Sequence, residues 1–189
     1  MRSNQNYLNK NLDRNVKDLL VKSLKFFSGK HPKHAVDMGC GLGIESAYLA
    51  ALPNWSVLAI DSDAELLALA EKKTPANERV TFLKSSFETM TSLPACDLLY
   101  SYHSLHFIDR EHYERLWNLI LTSIKPGGVI VISVFGPEDS MVTKKHAIGI
   151  SEQELRNKLI NFKIEHFEKI RKKFQETTNY FEVIGIKKE

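Results

Sequence analysis

The stretch Asp37-Met-Gly-Cys-Gly-Leu-Gly43 places three glycines at alternate positions directly after a short apolar run. The preceding His34-Ala-Val-Asp-Met38 predicts a buried strand, and residues 44–52 predict a helix that ends at Pro53. Glycine tolerates positive φ and allows the backbone to approach a ligand closely. We therefore predict a strand, a glycine turn suited to a nucleotide-like ligand, and a helix.

The same alternation continues along the chain. The capping-box pair Ser62 and Glu65 predicts a helix that runs to Lys73, and another helix is predicted from Arg110. Further buried strands are predicted at residues 56–60, 80–84, 97–101 and 129–132. Strands that alternate with helices form a doubly wound, mostly parallel α/β sheet with helices on both faces. The ligand crevice of such a sheet lies beyond the carboxyl ends of its strands.

The two ends of the chain carry weaker patterns. Apolar residues at helical spacing predict an amphipathic helix over residues 12–27, and we interpret residues 1–30 as a helical lid or extension of one domain that spans residues 1–189. Residues 162–174 and 180–187 predict two strands joined by a polar turn, which would add an antiparallel edge to the sheet.

Composition limits the classes of function. With 189 residues, of which 43% are hydrophobic and 26% charged, the chain is typical of a single globular domain. The net charge of +3 is too small to indicate a nucleic-acid partner by itself, and we expect none; we interpret the basic residues 169–173 as a solvated strand edge. Cys40 and Cys96 lack the pattern of a disulfide framework, and no apolar run approaches the ~20 residues of a membrane helix. The polar start differs from a signal peptide, so we expect a cytoplasmic protein.

Asp61 follows the second predicted strand, where a carboxylate accepts hydrogen bonds from ribose hydroxyls in folds of this kind. A nicotinamide-dependent oxidoreductase would use the same two features. Its G-x-G-x-x-G fingerprint requires a third glycine at Ile44 or Ser46, however, and neither register is filled. The pattern therefore favours a different adenosine-containing ligand.

The glycine segment Ala35-Val-Asp-Met-Gly-Cys-Gly-Leu-Gly-Ile44 resembles motif I of the class I S-adenosylmethionine (SAM)-dependent methyltransferases, and residues 59–64 resemble their acidic-loop motif. Residues 96–106 and 121–132 are similar to the segments around their fourth and fifth strands. The resemblance implies the strand order 3-2-1-4-5-7-6 with the seventh strand antiparallel. The layout of the C-terminal third is similar to small tellurite-resistance-type methyltransferases.

The resemblance also implies where the cofactor SAM would bind. Gly39 and Gly41 would face its amino-acid part, Asp37 would support the turn, and Asp61 would hold the ribose. The family often has an acidic residue near the adenine, whereas this chain has Ser85-Ser-Phe-Glu88; we expect Ser86 and the backbone of Phe87 to meet the adenine edge and Glu88 to be a solvated helix residue. The predicted cofactor set is Asp37, Gly39, Cys40, Gly41, Asp61, Ser62, Ser86, Phe87 and Ser101.

Tyr102, His103 and His106 follow the fourth predicted strand and are the candidate catalytic residues. An imidazole titrates near neutrality and can take a proton from an acceptor, although either histidine could instead be a packing residue. No cysteine or carboxylate cluster completes a four-ligand metal site around them, so we expect no metal.

The sequence therefore predicts a SAM-dependent methyltransferase that acts on a small-molecule acceptor, because little chain is left outside the core fold for a docking domain. The alternatives are the oxidoreductase and a catalytically silent SAM-binding partner protein. Candidate lid segments are the region around Tyr7, residues 102–108, and residues 135–150, which carry Met141 and His146. The acceptor and the oligomeric state have no signature in the sequence.

Overall fold

A computed structural model describes residues 8, 11–12, 14–74, 79–173 and 177–189. Their strands form one seven-stranded sheet in the order β3-β2-β1-β4-β5-β7-β6. The strands are β1 Lys33–Met38, β2 Trp55–Asp61, β3 Val80–Lys84, β4 Cys96–Tyr102, β5 Ile124–Phe135, β6 Phe162–Lys173 and β7 Thr177–Lys187.

The first five strands pair in parallel, whereas β7 runs antiparallel to both β5 and β6. This is the order that the family resemblance implied, with the seventh strand antiparallel, so the predicted fold is confirmed. The carboxyl ends of β1 to β5 lie at the same edge of the sheet, and that edge holds the glycine turn.

Helices precede and connect these strands: α1 Asp18–Ser23 lies before β1, and α2 Ile44–Ala51, α3 Ala64–Lys73, α4 Arg110–Ser123, α5 Ser140–Thr143 and α6 Glu152–Lys158 follow. A 3-10 turn, Leu24–Phe26, extends α1. None of the described helices is long and apolar enough to cross a membrane.

Both faces of the sheet are buried, and β5 shows why its sequence is continuously apolar. Ile130 and Ile132 pack in the larger core with Trp117 of α4. Val129 and Val131 point the other way and pack in the core that includes α1 and α2. A strand covered on both faces needs apolar residues at successive positions.

The amino-terminal helix begins later than predicted. The prediction of one helix over residues 12–27 is wrong for the described part, because Lys17 is extended, with ψ 132°, and α1 starts only at Asp18. Arg14 and the backbone N–H of Lys17 both bind the carboxylate of Glu45, and these contacts hold residues 14–17 in a non-helical conformation. Tyr7, the centre of one predicted lid, lies outside the described residues.

The terminal hairpin is present as predicted, with a longer second strand. β7 begins three residues before position 180 because its backbone is held by the segment after β5: the N–H of Asn179 donates to the carboxylate of Asp139 at 2.8 Å, and its carbonyl accepts from Gly136 at 2.8 Å. Lys169, Arg171 and Lys172 are exposed along β6, as expected for a solvated edge.

Candidate active site

The glycine turn is held against the next strand by its own backbone. Gly39 and Cys40 both donate their N–H groups to the carbonyl of Ile60, at 2.8 and 2.9 Å. Gly39, Gly41 and Gly43 have φ angles of 76°, 55° and 67°, which side-chain-bearing residues rarely adopt. The turn therefore requires glycine at these positions for conformational reasons alone.

Close neighbours add a second requirement at Gly39. A Cβ atom there would lie 2.3 Å from the Cβ of Ser104, which belongs to the loop after β4. The loop after β4 therefore approaches the glycine turn directly, and the two segments form adjacent walls at the carboxyl edge of the sheet.

Asp61 connects the turn to the end of β2. Its Oδ2 accepts from the N–H of Gly41 at 2.8 Å and its Oδ1 accepts from the N–H of Asp63 at 2.9 Å. A carboxylate has about four lone-pair sites, so both oxygens keep acceptor capacity after these bonds form. The group is thus fixed at the crevice and is still able to bind hydroxyls.

The predicted capping role of Ser62 is wrong. Asp63 caps α3, since its side chain accepts from the N–H groups of Glu65 and Leu66. The bond from Asp63 to Asp61 shifts the start of the helix one residue onward, to Ala64, and leaves Ser62 exposed beside the crevice.

The side chains of Asp37 and Cys40, both in the predicted cofactor set, are buried. Asp37 is 2% exposed and accepts a hydrogen bond from Ser46 at 2.6 Å; burial, with the nearby charge of Glu45, raises the pKa of Asp37 to about 7. The thiol of Cys40 packs in the core near Ala59, and burial raises its pKa. Asp37 supports the turn from below, and Cys40 offers only its backbone to a ligand.

Serine hydroxyls join the ends of β1 and β4. Ser101 and Ser104 both donate to the carbonyl of Met38, at 2.8 and 2.7 Å, and their two hydroxyl oxygens are 2.6 Å apart. Ser101 is completely buried, so its role in this structure is to hold the two strand ends together beneath the glycine turn.

The loop after β3 is a turn held by a cation. Glu88 lies in this turn and not in a helix, and it accepts from the hydroxyl of Ser86 at 2.5 Å, which lowers the pKa of the Glu88 carboxyl. The Arg115 guanidinium of α4 donates to the carbonyls of Phe87 at 3.0 Å and Glu88 at 2.6 Å, and also to that of Met90. The prediction of a solvated helix residue at Glu88 is therefore wrong.

Phe87 brings this loop to the glycine turn. Its ring lies 3.8 Å from the position that a Cβ atom of Gly39 would occupy. The expected adenine-contacting residues Ser86 and Phe87 therefore lie at the same crevice as Gly39 and Asp61, although the carbonyl of Phe87 is already engaged by Arg115.

The two predicted histidines have different surroundings. His103 has a φ of 55° and its Nδ1 lies 2.9 Å from the hydroxyl of Ser133. Burial, together with the charge of Lys17, lowers the pKa of His103 to about 4. His106 is 2% exposed and stacks on Phe135 with ring centroids 3.6 Å apart; within the described chain neither of its ring nitrogens has a hydrogen-bond partner.

Tyr102 points to the terminal hairpin. Its hydroxyl donates to Glu182 of β7 at 2.6 Å, and burial, together with this carboxylate, raises the pKa of Tyr102. The ring of His103 contacts both Tyr102 and Tyr180 edge-to-face, with centroid distances of 4.4 and 4.6 Å. Tyr102, His103 and Tyr180 therefore form one aromatic cluster, and the His106 ring lies beside it with its centroid 6.2 Å from that of His103.

Comparison with known proteins assigns this arrangement to a family. A methyltransferase-domain family model matches residues 35–128, about half of the chain. Trans-aconitate 2-methyltransferase of Paracidovorax citrulli is 34% identical over 104 residues, which are 53% of this chain and only 38% of that relative.

The chain belongs to the class I SAM-dependent methyltransferases. The fold likeness covers nearly the whole chain: TehB from Haemophilus influenzae has a TM-score of 0.78 at 17% identity over 96% of this chain and 66% of its own. The N-methyltransferase NodS from Bradyrhizobium japonicum, crystallised with S-adenosylhomocysteine (SAH), has a TM-score of 0.75 at 15% identity over 94% of this chain and 91% of its own. The cofactor of the family is SAM, as the sequence predicted.

An amino-terminal anchor of this methyltransferase was not apparent from its sequence. Arg14 forms a bidentate ion pair, at 2.5 and 2.7 Å, with Glu45 in the first turn of the helix that follows the glycine turn. The Glu45 side chain is 3% exposed, and it also accepts from the backbone N–H of Lys17 at 3.1 Å. The segment before α1 is thereby attached next to the predicted cofactor loop.

Sequence reasoning also missed Ser104, Arg115 and Glu182. Ser104 lies between two predicted histidines, and the sequence pattern gave it no role. Arg115 and Glu182 lie on α4 and β7, far along the chain from the motifs that they contact. Only the position of Glu182 midway along β7, opposite Ser133 of β5 and so level with the end of β4, could have indicated its proximity.

Two glycines with the same backbone conformation but different surroundings provide a test of the turn. Gly39→Ala introduces strain at φ 76° and displaces Ser104, so SAH affinity should fall by about tenfold or more. Gly127→Ala introduces comparable strain at φ 73° where nothing lies within 4 Å. It should cost roughly 1 kcal/mol of unfolding free energy and leave SAH affinity unchanged. Calorimetric titration measures the SAH affinity of each variant, and urea denaturation measures its free energy of unfolding. Equal SAH affinities in the two variants would contradict the role assigned to Gly39.

Proposed function

We propose that this methyltransferase binds SAM in the crevice between the glycine turn, Asp61 and the loop after β3, and transfers its methyl group to a small-molecule acceptor. The observation that carries the proposal is the hydrogen bond from Gly41 to Asp61. It brings the two elements that contact the methionine and ribose parts of the ligand in such folds into one rigid unit. The proposed compartment is the cytoplasm, in keeping with two free, buried cysteines.

The chemistry needs few catalytic groups. The sulfonium already activates the methyl group, so the protein must hold a nucleophile in line with the methyl–sulfur bond and exclude water. The segment before α1 is attached to α2 through the ion pair of Arg14 with Glu45, which makes it a candidate cover for this crevice. This attachment supports the proposal that residues 1–30 act as a lid.

The acceptor side of the site is proposed to be the cluster formed by Tyr102 and His103, with His106 beside it. Because its pKa is lowered to about 4, His103 is neutral at pH 7 and has a lone pair for a proton. Its Nδ1 is engaged by Ser133, and within the described residues Nε2 has no hydrogen bond. We assign the general base to His103 and a packing role, against Phe135, to His106.

The name of a similar protein agrees with a small-molecule acceptor. The similar Paracidovorax protein is named for trans-aconitate, a small carboxylic acid, although the match spans 38% of its length and therefore does not carry its substrate to this chain.

Asp61→Ala tests the cofactor site. Loss of a charge-assisted hydrogen bond to the ribose should weaken SAH binding by at least ~1.5 kcal/mol, which is about tenfold in Kd. Asp63→Ala is the matched control, because it removes a charge two residues away and the cap of α3 but no proposed ligand contact. It should lower stability by about 1 kcal/mol and leave SAH affinity unchanged. Calorimetry that showed the same SAH affinity in Asp61→Ala and the wild type would refute the ribose role.

His103→Gln and His106→Gln separate chemistry from packing. His103→Gln should reduce turnover by about 10² or more with SAH affinity nearly intact, because the loss falls on a transition-state interaction. His106→Gln should lower the melting temperature and leave turnover per folded molecule close to normal. Turnover would be measured over a panel of thiols, amines, phenols and oxyanions. Full activity in both variants would remove histidine from the mechanism.

A further inference from the structure

A carboxylate lies among aromatic rings at the acceptor side of the site. We call Tyr102, His103, Tyr180 and Glu182 the acceptor cage. The ring of His103 meets the rings of Tyr102 and Tyr180 edge-to-face, and Glu182 is fixed by the Tyr102 hydroxyl at 2.6 Å. The cage lies at the carboxyl end of β4, directly after Ser101, whose hydroxyl contacts the carbonyl that precedes Gly39. It therefore adjoins the proposed position of the reacting methyl group.

Glu182 has unused binding capacity. Oε1 accepts the hydrogen bond from Tyr102, whereas within the described chain Oε2 has no hydrogen bond. A carboxylate that is positioned by one oxygen and open at the other is suited to bind a cationic donor.

Lys17 demonstrates that an ammonium group fits beside the cage. Its Nζ lies 4.9 Å from the centre of the Tyr102 ring, within the range of a cation–π contact. The side chain is half-buried and comes from the segment anchored on Glu45, so it reaches the cage from the cofactor side. The protein thus already places a primary ammonium against this aromatic surface.

The local charge also favours a cation. Glu168 of β6 lies directly opposite Glu182 in the antiparallel pair, an arrangement that is unfavourable for two carboxylates without a cation nearby. The ligand atoms of His166, Glu168 and Glu182 lie within 4.8 Å of one another. An anionic acceptor would have to approach both carboxylates; among the described residues, Lys17 lies at the cage and the His166 ring lies 3.7 Å from Glu168.

We propose that the acceptor is an amine and that Glu182 recognises its ammonium group, which replaces the Lys17 ammonium at the cage. This inference rests on the proposed methyl transfer and names its substrate class. The bound ammonium loses one proton to solvent by way of the neutral imidazole of His103, and the freed nitrogen lone pair forms the new bond to the methyl carbon. The carbon–sulfur bond breaks with its electrons going to sulfur. The products are an N-methylammonium ion, SAH and the proton released to solvent.

The test uses two probes of similar size and opposite charge, benzylammonium and benzoate. Each is titrated by NMR into the full-length protein saturated with SAH, in a buffer that contains EDTA so that no metal ion occupies the carboxylates. Benzylammonium should bind at least about tenfold more tightly than benzoate, the scale of one charge-assisted contact. Saturation with SAH is verified first, because failure at that stage refutes the proposed function itself and not the choice of acceptor.

Three variants locate the binding. Glu182→Gln keeps the size of the side chain and should weaken benzylammonium binding by about tenfold, whereas Glu165→Gln, a control on β6 whose carboxylate pairs with Lys163, should change it by no more than about twofold. Lys17→Met removes the competing ammonium group and should strengthen the binding of benzylammonium. Melting temperatures confirm that each variant is folded. The inference is overturned if benzoate binds more tightly than benzylammonium, if neither probe binds the SAH-loaded protein, or if the two glutamate variants behave alike.

Discussion

The hydrogen bond between the Gly41 N–H and the Asp61 carboxylate is the contact on which the rest of the site depends. It joins the turn after β1 to the end of β2, two neighbouring strands whose register is fixed by parallel pairing over their whole length. Because the carboxylate is held by the backbone on both sides, it is already oriented before any ligand arrives. A preorganised acceptor binds a hydroxyl without the cost of ordering a side chain.

Around this contact the walls of the crevice are connected by buried polar interactions. Ser101 and Ser104 attach the end of β4 to the end of β1, and Arg115 holds the loop after β3 by three carbonyls. Each of these three side chains has its hydrogen-bond partners, as buried polar groups generally require. The ligand-binding loops are therefore set on a stiff sheet edge.

The pair of Arg14 and Glu45 links the cofactor side to the acceptor side. Glu45 is nearly inaccessible to solvent, and removal of the partner of such a charge typically costs about 3–5 kcal/mol. Three residues further along the chain, Lys17 reaches Tyr102 and thereby connects the anchored segment to the acceptor cage. Opening or closing of this segment would thus affect both ligands together.

Much of the fold followed from local patterns, because the central strands β1, β4 and β5 are buried on both faces and several turns have glycine or a capping residue. The order of the strands came from the family resemblance, since periodicity does not specify which strands are neighbours. Asp61 and the glycine turn were identified because they are separated by one strand–helix unit. Glu182 and Arg115 were missed because their contacts join residues 80 and 27 positions apart, and nothing in the sequence marks such pairs. The start of α1 was missed because a distant carboxylate overrides helical spacing.

The central claim is that the crevice is specific for the adenosyl ligand of a methyltransferase. The most direct measurement is calorimetric titration of the wild-type protein with SAH and, separately, with NAD. The account predicts saturable binding of SAH at one site per chain and no detectable heat with NAD at the same concentrations. Binding of NAD in place of SAH would contradict it.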